Sequence, residues 1–456
     1  MPALYASTVR AWPMLLCLAA APALAEPGSA DVHRLLRDLQ ERLSRVEAQN
    51  RELERRLAET TKTTAKEDVL NGRVEDLEYE VLALRTKPGP MERFEGVSVG
   101  ASLTMVAQRA KGGGVDESQL TARADVEVEL PGGSIGDAEG RIFAHFRAGD
   151  GDGVMNNAFA SSDATAFGNH PQPVLMEAWY QLDVPVGGNS GNLGRLEITA
   201  GKIDPFGFFD GNNLSDDESE GFLNLAFVHN PLLDAGGDMG VGTHGASPGL
   251  RLAYVSDVNG TNHVTASLGV FGAGPGADYS DSFSKPFTIA QLEYSGKTWH
   301  GLAGAYRLYA WSNPRAWDQV NALDVDGHPT IQQRHAGWGI SVDQQVTGHA
   351  SLFARYGQSS KGILNFDRGF TLGGQLSGSW WGREADRVGL AFGDLRTSSE
   401  YRAAGSGSGN ERIYELFYAW QPHDNLQFTP SVQRIDNASG TGASVTVWGL
   451  RAKASY

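Results

Sequence analysis

Long apolar runs are missing from this 456-residue sequence. Beyond its first 25 residues nothing approaches the run of about 18 apolar residues that a membrane-spanning helix needs, so helical spanning is excluded. Cysteine is nearly absent too. The only one, Cys17, lies in the N-terminal apolar stretch, which rules out disulfides and cysteine metal sites in the rest of the chain and suits an oxidising compartment. Positive charge is in deficit: 38 Lys and Arg face 54 Asp and Glu, a formal net charge of −16. No basic patch is present to meet nucleic acid. What the chain does have is glycine, 57 residues of it, and apolar residues at 41%, spread by alternation instead of in blocks.

Arg10 precedes an apolar stretch from Trp12 to Leu24 that closes on Ala23-Leu24-Ala25, the pattern of a secretory signal with cleavage expected after Ala25. Residues 26–87 follow a different rule. Val32, Leu36, Leu39, Leu43, Val46, Asn50, Leu53 and Leu57 step by four and three, a heptad seam. The phase breaks in the Thr-rich stretch 60–64 and resumes at Leu70, Val74, Leu77, Val81 and Leu84. A periplasmic coiled coil is expected, self-associating as a trimer, with an intramolecular helical hairpin as the alternative. Asn50 at an a position suits pairing between identical strands. Lys87-Pro88-Gly89-Pro90 ends the helix.

After Pro90 the period changes to two. Val97, Val99, Ala101, Leu103 and Met105 alternate with Ser98, Gly100, Ser102 and Thr104, and Leu120, Ala122, Ala124, Val126, Val128 and Leu130 alternate with Thr121, Arg123, Asp125, Glu127 and Glu129. Sixteen strands are read over residues 88–456, starting near 94, 118, 139, 174, 192, 248, 263, 286, 298, 335, 348, 371, 386, 411, 425 and 443. Long connectors (107–117, 151–172, 204–247, 274–285, 312–334, 360–370, 397–410, 436–442) alternate with short turns such as 259–262, 295–297, 345–347 and 423–424. Long loops on one side and tight turns on the other predict an all-β transmembrane barrel of the outer membrane. In the last strand Tyr456, Ala454, Ala452, Leu450 and Trp448 share one face, and its terminal aromatic resembles an outer-membrane assembly signal. Arg451 and Lys453 are expected to face the lumen, because a cationic side chain in lipid costs about 2–4 kcal/mol at the midplane.

Several segments resemble the OprB-type carbohydrate-selective porin family. They are Thr199-Ala200-Gly201-Lys202-Ile203-Asp204 with Phe209-Asp210-Gly211-Asn212 and Phe222-Leu223-Asn224; the run Gly339 to Gln345 with Leu352 to Gly357; Gly382-Arg383 with Asp386 to Leu390; and Tyr414-Glu415-Leu416-Phe417-Tyr418 leading to Leu426, Thr429-Pro430 and Gln433. The resemblance implies passive uptake of sugars. The coiled coil departs from the simplest members and is similar to the stalk of surface-layer-homology porins.

Alternation places Arg123, Asp125, Glu127, Arg141, His145, Arg147, Glu177, Gln181, Arg251, Arg307, Asp343, Arg355, Arg387, Glu415 and Gln433 on the lumen face. Interspersed carboxylates, guanidiniums and amides can pair with sugar hydroxyls, which both donate and accept. Trp179 and Phe417 share that face and could stack on a pyranose ring. The candidate solute contacts are therefore Glu177, Trp179, Arg355, Arg387, Glu415 and Gln433. The longest connector, 204–247, follows strand five, and the resemblance to porins implies that it folds inward and narrows the pore. Its candidates are Asp210, Asn212, Asp216, Asp217, Glu218 and Glu220, with Asp204 and Asn213 nearby.

Two motifs carry no chemistry. Gly149-Asp150-Gly151-Asp152-Gly153 lacks the later ligands of a calcium loop, and Gly245-Ala246-Ser247-Pro248-Gly249 opens a strand where a nucleophile elbow needs a helix. No catalytic residue, metal site or cofactor is expected. Besides a sugar-preferring porin, a general or cation-preferring pore and a structural protein tethered by its coiled coil stay open.

Overall fold

The computed structural model describes residues 96–160, 172–187, 194–233, 235, 246–258, 260–272, 283–321, 324 and 330–456. The leader expected over 1–25 and the coiled coil expected over 26–87 lie outside the described residues. Among those described, sixteen antiparallel strands close into one barrel. They are β1 (Ser98–Gly112), β2 (Val115–Ile135), β3 (Ala138–Asp150), β4 (Val174–Val186), β5 (Gly194–Ile203), β6 (Ser247–Val255), β7 (Asn262–Phe271) and β8 (Phe287–Lys297). The second half is β9 (Ala303–Trp317), β10 (Gln332–Thr347), β11 (Ala350–Lys361), β12 (Phe366–Ser377), β13 (Arg387–Thr397), β14 (Asn410–His423), β15 (Leu426–Ala438) and β16 (Ala443–Ser455).

Each strand pairs with its sequence neighbour, and β1 closes on β16 in a register running from Ser102 opposite Ser455 to Lys111 opposite Thr446. Past that run Ala101 exchanges backbone hydrogen bonds of 2.8 and 3.1 Å with Tyr456. Closure removes the unpaired edges that hydrocarbon cannot solvate. The two faces follow the alternation. Leu103, Leu120, Leu268, Leu292, Leu352, Leu390 and Leu450 are exposed on the outside, whereas Thr104, Arg123, Asp125, Gln181, Arg307 and Arg451 are buried inside. A large exposed apolar surface around a polar interior is the inverse of a water-soluble protein and marks a lipid-facing wall.

Two expected loops turn out to be mostly strand. The connector read over 107–117 is β-structure up to Gly112 and again from Val115, joined by Gly113 and Gly114 at φ of 58° and 87°. Both turn residues need positive φ, which glycine alone adopts freely. Likewise β11 reaches Lys361 and β12 begins at Phe366, which shortens the 360–370 connector. The outward residues here are Arg109, Lys111 and Asp116, so the apolar alternation stops while the hydrogen-bond ladder continues. Hydrophobic period two reports lipid contact, and strands extend past the lipid.

Candidate functional site

The chain leaves β5 at Asp204 and, over residues 204–233, runs across the inside of the barrel. Asp204 starts this segment: its carboxylate accepts the Phe206 N–H at 2.9 Å, and its own N–H donates to Glu177 of β4 at 3.0 Å. Asp210, at φ 57°, turns the segment toward the far wall. Its N–H reaches Gln291 of β8 at 2.9 Å, and its carboxylate accepts from Tyr309 of β9 at 2.6 Å and meets Arg355 of β11 at 3.3 Å. Asn212 donates to Ser341 and to the Val342 carbonyl of β10 at 3.3 and 3.2 Å, and Asn213 donates to Asp343 at 2.5 Å. Further on, Glu415 of β14 accepts the N–H groups of Leu223 and Asn224 at 2.7 and 2.9 Å, and Asn224 donates to Gln433 of β15 at 3.3 Å. Arg451 of β16 donates to the carbonyls of Glu218, Glu220 and Gly221.

An apolar underside seals this contact. Phe222 packs on Phe417 at 4.9 Å and on Phe353 and Phe227 at 5.5 Å, while Phe209 meets Phe271 at 6.0 Å. Room for it comes from glycine: a Cβ on Gly389 would collide with the Phe417 ring, and one on Gly357 with the Asn230 amide. The segment thus fills much of the β8–β16 side of the lumen.

Its acidic tip faces water and basic wall residues together. Glu218 pairs with Arg123 of β2 at 2.5 Å, and Glu220 with Lys453 of β16 at 2.9 Å and with Arg387 of β13 at 4.0 Å. Asp217 lies 3.9 Å from Lys453, and its side chain and that of Glu220 are both 45% exposed. Partial desolvation inside the barrel acts to raise the Asp217 pKa, but Lys453 and Arg123 outweigh it and bring it down to about 2. Glu220 is lowered in the same way by Lys453. Asp204 moves oppositely, pushed up to about 6 by burial and by the neighbouring Glu177 charge.

The facing wall, β2 to β6, carries a ladder of both signs. Asp125 is its hub, accepting from Arg123 at 2.8 Å, Arg147 at 2.7 Å and His145 at 2.8 Å. Arg251 binds Glu197 at 2.8 Å and lies 4.7 Å over the Phe208 ring. Trp179 stacks on Phe143 at 4.9 Å, meets Phe208 edge-on at 5.6 Å and has Arg141 over its ring at 5.5 Å.

These positions sort the expected site residues. Asp216, Asp217, Glu218 and Glu220 sit on the inward-folded segment as exposed or partly exposed groups, whereas Asp210 and Asn212 are each 1% exposed and fasten it. Arg355, Glu415 and Gln433 do face inward, but at 1–2% exposure they lie beneath that segment and bind its backbone and side chains. Phe417 is covered by Phe222 and presents no ring to the channel. Glu177, Trp179 and Arg387 remain on the water-facing side, with Trp179 mostly covered by its aromatic neighbours. Phe143, Phe208 and Tyr309 were not singled out from the sequence. Phe143 shares the parity of Arg141 and His145 and was legible, but Phe208 belongs to irregular backbone with no period to place it.

A closed sixteen-stranded barrel with an outward apolar belt and an inward-folded loop across a charged lumen is an outer-membrane porin. The family model for the carbohydrate-selective porin, OprB family, matches residues 140–456, and the chain belongs to that family. Among solved structures, Pseudomonas putida OprB at high pH is similar with a TM-score of 0.64 and 19% identity, covering 79% of this chain and 94% of that one. The low-pH structure of the same protein gives 0.45 and 17% over 79% and 93%. Vibrio cholerae OmpT, in its trimer form, gives 0.47 and 10% over 79% and 100%. No curated protein sequence matches.

Proposed function

We propose that small neutral sugars cross this outer-membrane porin along the β2–β6 wall, beside the polar ladder centred on Asp125, which Arg123 ties to Glu218 of the 204–233 segment. The observation that carries this is the Phe143, Trp179 and Phe208 group set among Arg141, Arg251 and Glu177. A pyranose has an apolar face and polar edges, and aromatic rings flanked by donors and acceptors replace water on both. Passage is diffusive, and the chain acts as a channel and not as an enzyme. The solute contacts we assign are Glu177, Arg387, Arg141, Arg147, Phe143 and Phe208, with Trp179 as their backing. Arg355, Glu415 and Gln433 hold the constriction.

The test is sugar flux through liposomes beside potassium conductance in planar bilayers. Phe143→Ala with Phe208→Ala is expected to slow hexose entry several-fold while conductance changes less than twofold. An unchanged ratio of the two overturns the assignment.

A cation-preferring pore is the second reading, favoured by the exposed carboxylates of Asp217 and Glu220. The heptad seam of residues 26–87 supports a periplasmic coiled coil that associates barrels as a homotrimer.

A further inference from the structure

The outer wall is uneven around the barrel. From β6 to β9 its lipid-facing residues, such as Leu250, Val264, Leu292 and Leu308, include no Asp, Glu, Lys or Arg at all. From β12 to β16 the same face changes abruptly toward the long loops. An aromatic row, Phe370, Phe392, Tyr414 and Trp448, with Phe392 and Tyr414 5.2 Å apart, marks the edge of the apolar belt. Beyond it on the same outward face stand Arg368 on β12, Asp394 and Arg396 on β13, Arg412 on β14, and Arg434 and Asp436 on β15, so the band carries four arginines interleaved with carboxylates.

Their arrangement invites an anion. Arg368 lies directly opposite Arg396 in the strand register, and like charges so placed repel. Asp367 takes a two-bond hold on Arg396 at 3.0 and 2.8 Å, while Arg368 Nε is covered and makes no hydrogen bond. Asp394 and Asp436 stand opposite Arg412 on either side, the first 3.6 Å from it, and Arg434 is fixed by Asp436 at 2.8 Å and Thr446 at 3.1 Å. The side chains of Arg396, Arg412 and Arg434 are each paired with an aspartate yet 39%, 59% and 49% exposed. Arg396 and Arg434 each keep an exposed Nη group beyond the bonds that fix them, and such N–H groups can donate to a phosphate.

Level and chemistry together identify the occupant. Groups just outside an aromatic girdle on the long-loop side lie at the headgroups of the outer leaflet. We infer that this arginine band is a docking site for a phosphorylated outer-leaflet glycolipid, a lipid A-type headgroup. Its phosphates sit on Arg368, Arg396, Arg412 and Arg434, and its acyl chains run down the apolar wall beneath Phe370, Phe392 and Tyr414.

The experiment titrates the full chain in detergent with bis-phosphorylated hexa-acyl lipid A and reads bound lipid by native mass spectrometry. The same titration uses fully dephosphorylated lipid A, and then the R368Q/R396Q/R412Q/R434Q variant. Wild-type protein is expected to hold the phosphorylated lipid at least tenfold more tightly than the dephosphorylated one, and the variant to lose that preference with potassium conductance unchanged. Equal binding of both lipids by the wild type would mean acyl-chain adhesion only and overturns the proposal, whatever the variant does. A variant that keeps the phosphate preference overturns it as well, as does one that changes oligomeric state while retaining lipid, since the band would then be a contact between copies. If the quadruple variant does not fold, R412Q/R434Q, with its two more exposed positions, carries the same comparison.

Discussion

A single buried arginine shows what alternation can and cannot tell. Arg355 falls on the inward face as its parity requires, but parity gives a direction and no depth. The residue ends beneath the 204–233 segment, donating to the carbonyls of Phe227 and Asp210 at 2.5 and 3.1 Å and facing the Asp210 carboxylate. Glu415 and Gln433 shared that fate, because no period in the sequence says which stretch of wall an irregular loop will cover. Arg355→Met is therefore expected to act on the constriction before it acts on the barrel. Removing one partner of a buried pair strands the other charge at a cost of about 3–5 kcal/mol. Part of that falls on the loop, since Asp210 keeps Tyr309 as a donor. The variant should remain a heat-modifiable barrel with larger and noisier single-channel currents. Currents indistinguishable from wild type would show that the loop is held without Arg355.

At the scale of the loop, electrostatics decides more than composition. Its acids are answered by Arg123, Arg387 and Lys453, so the field at the tip is smaller than four free carboxylates would make it. Changing Asp216, Asp217, Glu218 and Glu220 to Asn or Gln should still lower cation preference, because the wall cations are then unopposed. Reversal potentials in a salt gradient measure it, and the difference should shrink as ionic strength rises past about 0.1 M, where the Debye length is about 10 Å. Acidity separates two of the carboxylates. Asp217, depressed to about 2, stabilises the fold above the ordinary carboxylate range, a contribution lost only as pH falls through about 2. Asp204 is raised to about 6, so its ionisation destabilises the loop base, and the stability present below its ordinary value is lost as pH rises through about 6. Glu177, His229 and Arg147 surround it. Cation preference is expected to step down as pH falls through about 6, where Asp204 takes up its proton. In Asp204→Asn the step should vanish; its persistence would assign it to another group. Strand positions were legible from the sequence to within a few residues for most of the ring, since lipid imposes period two. The loop's inward course was expected from its length and from the resemblance to porins, in which such a connector folds inward, and its fastening points required the fold.

For the molecule as a whole, the ring of strands closes on itself among the described residues. Every strand from β1 to β16 has both neighbours, including the closing pair, within the described residues. Among the described residues, the constriction is fastened to wall residues of the same barrel. Residues 31–86 obey a different period, with a heptad seam that finds its partner most simply in identical copies. The two parts should therefore separate by function when residues 31–86 are deleted. The shortened protein is expected to insert as a heat-modifiable barrel, to conduct potassium within about twofold of wild type at matched salt, and to keep its sugar preference. What it should lose is association: wild-type protein is expected to migrate as an oligomer on native gels and the deletion as a single barrel. A deletion protein that still forms the oligomer would place the contact on the barrel wall. One that fails to insert, or conducts differently, would show that the seam shapes the barrel, and the independence argued from the closed ring would be wrong.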